Sequence, residues 1–276
     1  MQKISVNEPA ISKNALKYVT DCIKTGWISS SGKYLKDFEE KFAKFLGVKH
    51  AITTTNGTTA LHLAILTLGI KKGDEVILPS HTMMSSATAI VYTGATPVLV
   101  DVERDSWNMD VSQIEKKINK RTKAVMPVHI YGHPVNMDPI IALAKKYHLY
   151  IIEDAAESTG AEYKGRMTGT IGDIGCFSFY ANKIITTGEG GMMVTDNDKI
   201  ANHARLLKDM AHSPQKRFLH KEIGFNFRMT NLQAALGVAQ LEEVKKYIQK
   251  KRWMATLYNE KLSKIKGLTL PIEHNW

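Results

Sequence analysis

"CFSFYANKIITTGEGG" (residues 176–191) starts as an apolar run, ends as a glycine-rich turn and carries one lysine, Lys183, near the junction. "CFSFY" is apolar or aromatic apart from Ser178. That is the pattern of a strand covered on both faces. Strands of this kind lie in sheets sandwiched between helices, so the stretch predicts an α/β fold. It also poses a chemical question. An ammonium group just past a buried strand loses much of its hydration, and a desolvated lysine gives up its proton more readily, becoming a nucleophile or general base. The plain alternative is a surface lysine that snorkels to water. The glycines of "TTGEGG" would let backbone come close to a ligand.

Outward from this stretch, further continuous apolar runs predict strands at "HAITTT", "EVILP", "TPVLVDV", "KAVMPVH", "LYIIED" and "GMMVTD". Helical patterns alternate with them. Ser12 is the expected N-cap of "KNALKYVTDCIKT", closed by Gly26. In "YLKDFEEKFAKFLG", Leu35, Phe38, Phe42 and Phe45 share one face and Gly47 ends the helix. "GTTALHLAILTLG" is apolar nearly all round and should be enclosed. "NMDPIIALAKKYH" is a further helix, and Asn231 to about Lys264 reads as one long helical stretch. The order predicts a mainly parallel sheet in one major domain, from roughly residue 10 to 240.

Composition narrows the class. With 276 residues, 43% of them hydrophobic, the chain can bury a substantial core. Its formal charge of +10 comes from 37 Lys and Arg against 27 Asp and Glu. The lysines are dispersed among acids, as in "LEEVKKYIQKKR", so the charge describes solvated helix faces and not a nucleic-acid groove. Cys22 and Cys176 are far apart and suit a reducing, cytoplasmic setting. No apolar run approaches the ~20 residues needed to span a bilayer, and "MQKISVNEPA" lacks the apolar segment of a secretory signal.

In open α/β sheets ligands bind beyond the carboxyl ends of the strands, and four places there carry chemistry. In "TTTNGTTAL", Asn56-Gly57 turns a strand into a helix beginning near Thr58, either a plain turn or an anion site at a helix start. In "LYIIEDAAESTG", Asp154 ends a buried run and needs a cationic or strongly donating partner. The alternative there is a turn cap, a task Glu153 could perform at lower desolvation cost. The third place is Lys183. The fourth is "GFNFRMTNLQAALG", where Asn226 and Arg228 precede a helix capped by Thr230 or Asn231, either as a partner-subunit contact or as a helix entry. A phosphate-binding turn, a buried Asp and a buried Lys together match what pyridoxal 5'-phosphate requires: an anion cradle, an acid at the ring nitrogen and a Schiff-base lysine.

The segments "TGWISSSGKYLKDFEEKFAKFLGVKHA", "TTNGTTALHLAI", "VHIYGHPVNMDPI", "IIEDAAESTGA", "FSFYANKIITTGEGGMMVTD" and "NFRMTNLQAALG", in this order, resemble the sugar aminotransferases of the DegT/DnrJ/EryC1/StrS group. The resemblance implies the large domain of a fold-type I aminotransferase, and "NKIITTGEGGM" is most similar to enzymes that aminate C4 of 4-keto-6-deoxy sugar nucleotides, perosamine synthases among them. It puts Lys183 at the Schiff-base position, Asp154 at the ring nitrogen, and Gly57, Thr58 and Ser178 at the phosphate. It further implies a nucleotide-sugar substrate, an amino-acid donor such as glutamate, and a homodimer in which Asn226 reaches the neighbouring subunit's phosphate. Glu157 matches a position near the cofactor ring; beside the phenolic oxygen it must share a proton, since two anions cannot sit together cheaply.

Two departures stand out. The segment after "LPS" usually supplies an aromatic ring that stacks on the cofactor; here Met83 fills that position and His81 lies nearby, more simply read as an ordinary polar loop residue. The chain also stops at "GLTLPIEHNW", about a hundred residues short of a typical member, a domain-sized difference. Residues 1–240 are therefore expected to form the cofactor-binding large domain, and 241–276 a connecting helix and the start of a truncated C-terminal domain. Rival readings are a related sugar dehydratase, in which histidine replaces the lysine at position 183, a cofactor-binding scaffold without turnover, and a basic regulatory protein that binds nucleic acid.

Overall fold

Ser12 accepts the Ala15 amide through its hydroxyl and opens helix α1 (Lys13–Thr25), which Gly26 closes at φ 74°, a conformation that suits glycine. The computed structural model describes residues 5, 7–213, 216 and 218–276. Helix α2 (Lys33–Leu46), strand β1 (His50–Thr54) and helix α3 (Gly57–Thr67) follow. Next come β2 (Glu75–Pro79), α4 (Met84–Tyr92), β3 (Thr96–Val100) and the short turn α5 (Ile114–Lys117). Strand β4 (Thr122–Val125), helix α6 (Met137–Tyr147) and strand β5 (Tyr150–Asp154) lead to a small hairpin, β6 (Glu162–Tyr163) and β7 (Arg166–Met167). The remainder is β8 (Ile174–Ser178), β9 (Gly191–Thr195), α7 (Asp198–Lys208), α8 (Asn231–Glu242) and α9 (Val244–Leu262).

Seven strands form one sheet in the order β1-β9-β8-β5-β4-β2-β3. From β8 to β3 every pairing is parallel, whereas β9 runs antiparallel to both β8 and β1. Strands β1, β8 and β5 therefore point the same way and end at one edge of the sheet. Side chains alternate between faces along each strand. Val76, Leu78, Ile152, Ile174, Cys176 and Met193 pack against residues of α3, α4 and α7. On the opposite face, Phe177, Met192 and Val194 meet α1, α2 and α8, while Ile77, Val125 and Ile151 meet α5 and α6. The result is a three-layer α/β fold. Among the described residues no helix is long and apolar enough to cross a membrane.

Two sequence expectations change. "TPVLVDV" is not covered on both faces: β3 is an edge strand, and Leu99 is 51% exposed. Its apolar composition reflects β propensity rather than enclosure. The stretch from Asn231 also divides in two, because Glu243 leaves helical geometry at φ −105° and ψ 3°. Helix α8, rich in Ala and Gly, is largely buried against α1 and α2, whereas in lysine-rich α9 only Val244 is buried.

Phe42 is the central side chain of the α2 face. It is fully buried, with the Phe177 and Phe179 rings edge-on at 5.1 and 5.3 Å. Phe42→Ala should cost about 3–5 kcal/mol, read as a lower urea midpoint with an unchanged slope.

Candidate active site

Asp154 shares its parity with Ile152 on β5, so its carboxyl group faces the α3/α4 layer. There Ser86 on α4 donates its hydroxyl to Oδ2 at 2.7 Å, and Thr82 bonds Ser86 at 2.7 Å. The Ala156 amide donates to Oδ1 at 3.2 Å, so a local turn contact exists as well. Burial raises the Asp154 pKa, and the Ser86 hydroxyl, the Ala156 amide and the charges of Lys183 and His129 only partly oppose it. Glu153 does not cap the turn. It is completely buried and accepts from His129 Nε2 at 2.9 Å and from the amides of Gly169, Ile171 and Gly172 at 2.8, 2.6 and 2.6 Å. The Val135 amide donates to His129 Nδ1 at 3.1 Å, which leaves Nε2 to donate to Glu153.

On the neighbouring strand β8, Ser178 has the same parity as Ile174 and Cys176 and faces the same layer. Helix α3 begins beside it. Asn56 caps the helix through a reciprocal pair with Thr59, and the Gly57 and Thr58 amides precede the first intrahelical bond. A Cβ added at Gly57 would lie 2.8 Å from the Ser178 Cβ, so only glycine lets the helix start come this close to the strand. The outcome is a small cradle of helix-start amides and one hydroxyl, suited to an anion.

Lys183 follows in a turn in which its amide donates to the Tyr180 carbonyl at 3.0 Å. Its amine does not stand alone in an apolar pocket: Nζ is 3.1 Å from Glu157 Oε1, with the lysine side chain 14% exposed. Glu157 Oε2 accepts the Tyr131 amide at 2.8 Å. A cavity of about 530 Å³ opens beside Lys183, lined among others by Pro9, Thr186, Gln240, Tyr247 and Lys251.

The structure therefore gathers Asp154, Glu157 and Lys183 near one another, and Gly57 with Ser178 at the adjoining strand end. Met83 sits at the N-cap position of α4, three residues before Ser86, with its side chain exposed. His81 packs edge-on against the Trp107 and Tyr131 rings. Asn226 precedes Phe227, whose carbonyl accepts the Thr55 amide at 3.0 Å. Asn226 is exposed and accepts from Arg228 Nε at 2.9 Å, while Arg228 reaches Asp209. Of the two expected caps, Thr230 opens α8; Asn231 is instead buried, bonded to the Tyr34 amide and the Trp27 carbonyl. Sequence reasoning missed Ser86 and the Tyr131 amide. A hydroxyl on the inward face of "SATAIVY" was the available signal for Ser86; a backbone donor leaves none.

The position of Asp154 has a measurable consequence for pH dependence. Its raised pKa means that the folded chain keeps a proton the unfolded chain has already released. Stability from this group is therefore full below the ordinary carboxylate range and declines as pH rises through it. In the cofactor-free protein, Asp154→Asn should gain stability relative to the unmodified chain as pH rises above about 4. Paired denaturant titrations check this, and a pH-independent difference would contradict it.

These residues fit pyridoxal 5'-phosphate: a buried carboxyl group short of a cation, a lysine amine nearby and a cradle kept open by Gly57. Comparison with known proteins agrees. The family model for DegT/DnrJ/EryC1/StrS aminotransferases matches residues 9–276. The GDP-perosamine synthase of Caulobacter vibrioides is 48% identical over 265 residues, covering 96% of this chain and 71% of that protein. That of Escherichia coli O157:H7 is 47% identical, covering 96% and 73%. The solved structure of S. venezuelae DesV, in complex with a ketimine intermediate, superposes with a TM-score of 0.91 at 35% identity, covering 98% of this chain and 75% of that one. The chain belongs to the DegT/DnrJ/EryC1/StrS aminotransferase family and is a pyridoxal-phosphate-dependent transaminase.

Proposed function

We propose that this enzyme moves an amino group from an amino acid, glutamate as the expected donor, to C4 of a nucleotide-linked 4-keto-6-deoxy sugar. The observation that carries the reading is the shared neighbourhood of the Lys183 amine and the buried Asp154 carboxyl group, in a chain 48% identical to a GDP-perosamine synthase. A lysine at position 183, where the dehydratase branch has histidine, supports amine transfer over dehydration.

Bound pyridoxal phosphate supplies an aldehyde that exchanges amines and a ring that accepts the electron pair left when a proton departs. Asp154 would hold the proton at the ring nitrogen, and Ser86 orients Asp154. Lys183 would bind the aldehyde through its amine and, when that amine is free, would move the proton at the donor's α-carbon as general base. Glu157, held by the Tyr131 amide and bonded to Lys183, would lie beside the cofactor ring. Gly57, Thr58 and Ser178 would hold the phosphate, and Met83 would supply a flexible thioether for the ring.

Asn226, exposed and held by Arg228, serves the phosphate of a second copy, so the enzyme works as a homodimer with shared sites. Residues 1–240 act as the cofactor-binding domain, and 241–276 as the connecting helix towards a C-terminal domain. The enzyme works in the cytoplasm, a setting that suits two buried free cysteines.

With glutamate and a 4-keto-6-deoxy sugar nucleotide, mass spectrometry should detect the 4-amino sugar nucleotide. Lys183→Ala should slow its formation by at least about a thousandfold, and an unaffected rate would end the assignment. Co-expressing Lys183→Ala with Asn226→Ala should restore up to about a quarter of full activity, because mixed dimers keep one intact shared site. Unshared sites would give no restoration above the Asn226→Ala chains alone.

A further inference from the structure

We infer that His81, Trp107 and Tyr131 form an aromatic wall that receives the hexose ring of the keto sugar on its C–H face, and that Asn108 holds this wall in place. The inference rests on the function proposed above and names the part of the substrate that these residues bind.

The three rings come from separate loops, yet they meet edge-on. Centroids lie 6.5 Å apart for His81 and Trp107, 6.0 Å for His81 and Tyr131, and 6.4 Å for Trp107 and Tyr131. Trp107 and Tyr131 remain 42% and 70% exposed. Both also have left-handed backbone, at φ 59° and φ 52°. Such a conformation is unfavourable for a bulky side chain and persists only where its surroundings enforce it.

Asn108 supplies that enforcement. The residue follows Trp107 directly and is 3% exposed. Its Nδ2 donates to the carbonyls of His133 and Pro134 at 3.0 and 3.2 Å, and its Oδ1 accepts the Ile130 amide at 3.3 Å. One buried amide thus ties the Trp107 loop to the loop carrying Tyr131. The Trp107 amide and the Asn108 carbonyl also bond to Glu103, fixing the base of the first loop. The rings are preorganised before any ligand arrives, so a ligand is spared the cost of ordering them.

The position of the wall selects its ligand. The Tyr131 amide and the Lys183 amine bond to the two oxygens of one carboxyl group, that of Glu157. The wall therefore stands at the reacting end of the substrate. That end is the hexose; the nucleobase lies a diphosphate and a ribose further out. A 6-deoxy hexose presents ring C–H bonds and a methyl group, and the negative face of an aromatic ring attracts the positive hydrogens of such bonds.

The test uses the cofactor-loaded enzyme and separates its two half-reactions. Trp107→Ala and Tyr131→Ala should each raise KM for the keto sugar nucleotide about tenfold or more. The donor half-reaction, followed by the change in cofactor absorbance with glutamate, should stay within about twofold. Tyr131→Phe should retain KM, and Asn108→Ala should reproduce the KM rise of Tyr131→Ala. An unmoved KM in both alanine variants would overturn the inference. So would an equal slowing of the donor half-reaction, which would mean that the rings pack on the cofactor, or a weakened dimer, which would mean that a second copy covers them. A wild-type enzyme that performed neither half-reaction would remove the transaminase reading itself, and that failure is distinct from an unmoved KM.

Discussion

A carboxylate inside a protein must be met by cations or several hydrogen-bond donors, or it holds its proton. Three carboxyl groups of this chain, two of them buried and Glu39 half-buried, show the contrast. For Glu39 burial pushes the pKa up, but Lys208 together with the amide and hydroxyl of Thr53 overcomes it, and the net shift is downward. Glu153 gathers three amides and His129. Asp154 has one hydroxyl and one amide, and its pKa is raised. The nearest amine, on Lys183, is bonded to Glu157 instead. Asp154 is the under-served group of the three, and a protonated pyridine nitrogen is the partner that would complete it.

The scaffold explains why that group and Ser178 lie at neighbouring strand ends. Because β9 runs against both its neighbours, β1 returns parallel to β8 and β5, and three strand ends open on the same edge. Parity then directs Asp154 and Ser178 to one face. The approach of Gly57 to Ser178 fixes the anion cradle relative to the carboxyl group, with no loop rearrangement needed to bring them together.

Much of this was legible in the sequence because it depends on local rules. Ser12, Gly26 and Gly47 mark helix ends by capping chemistry, and the apolar run "LYII" marks Asp154 as buried. The parts that were not legible depend on tertiary partners. Leu99 is as apolar as any core strand residue, and only the sheet order makes β3 an edge. Nothing local distinguishes Glu153 from Asp154, yet parity sends one to the His129 side and the other to the Ser86 side. The Tyr131 amide that holds Glu157 has no side-chain signature at all, and the break at Glu243 falls within a sequence that is helical by propensity on both sides.

The central claim is that the amine of Lys183 and the carboxyl group of Asp154 serve the same bound ring. Borohydride reduction of the pyridoxal-phosphate-loaded protein, followed by peptide mapping, tests it most directly. The account predicts that the reduced cofactor is fixed to the peptide containing Lys183, and that Asp154→Asn leaves the attachment point unchanged while abolishing turnover. Attachment to another lysine, or full turnover in Asp154→Asn, would contradict it.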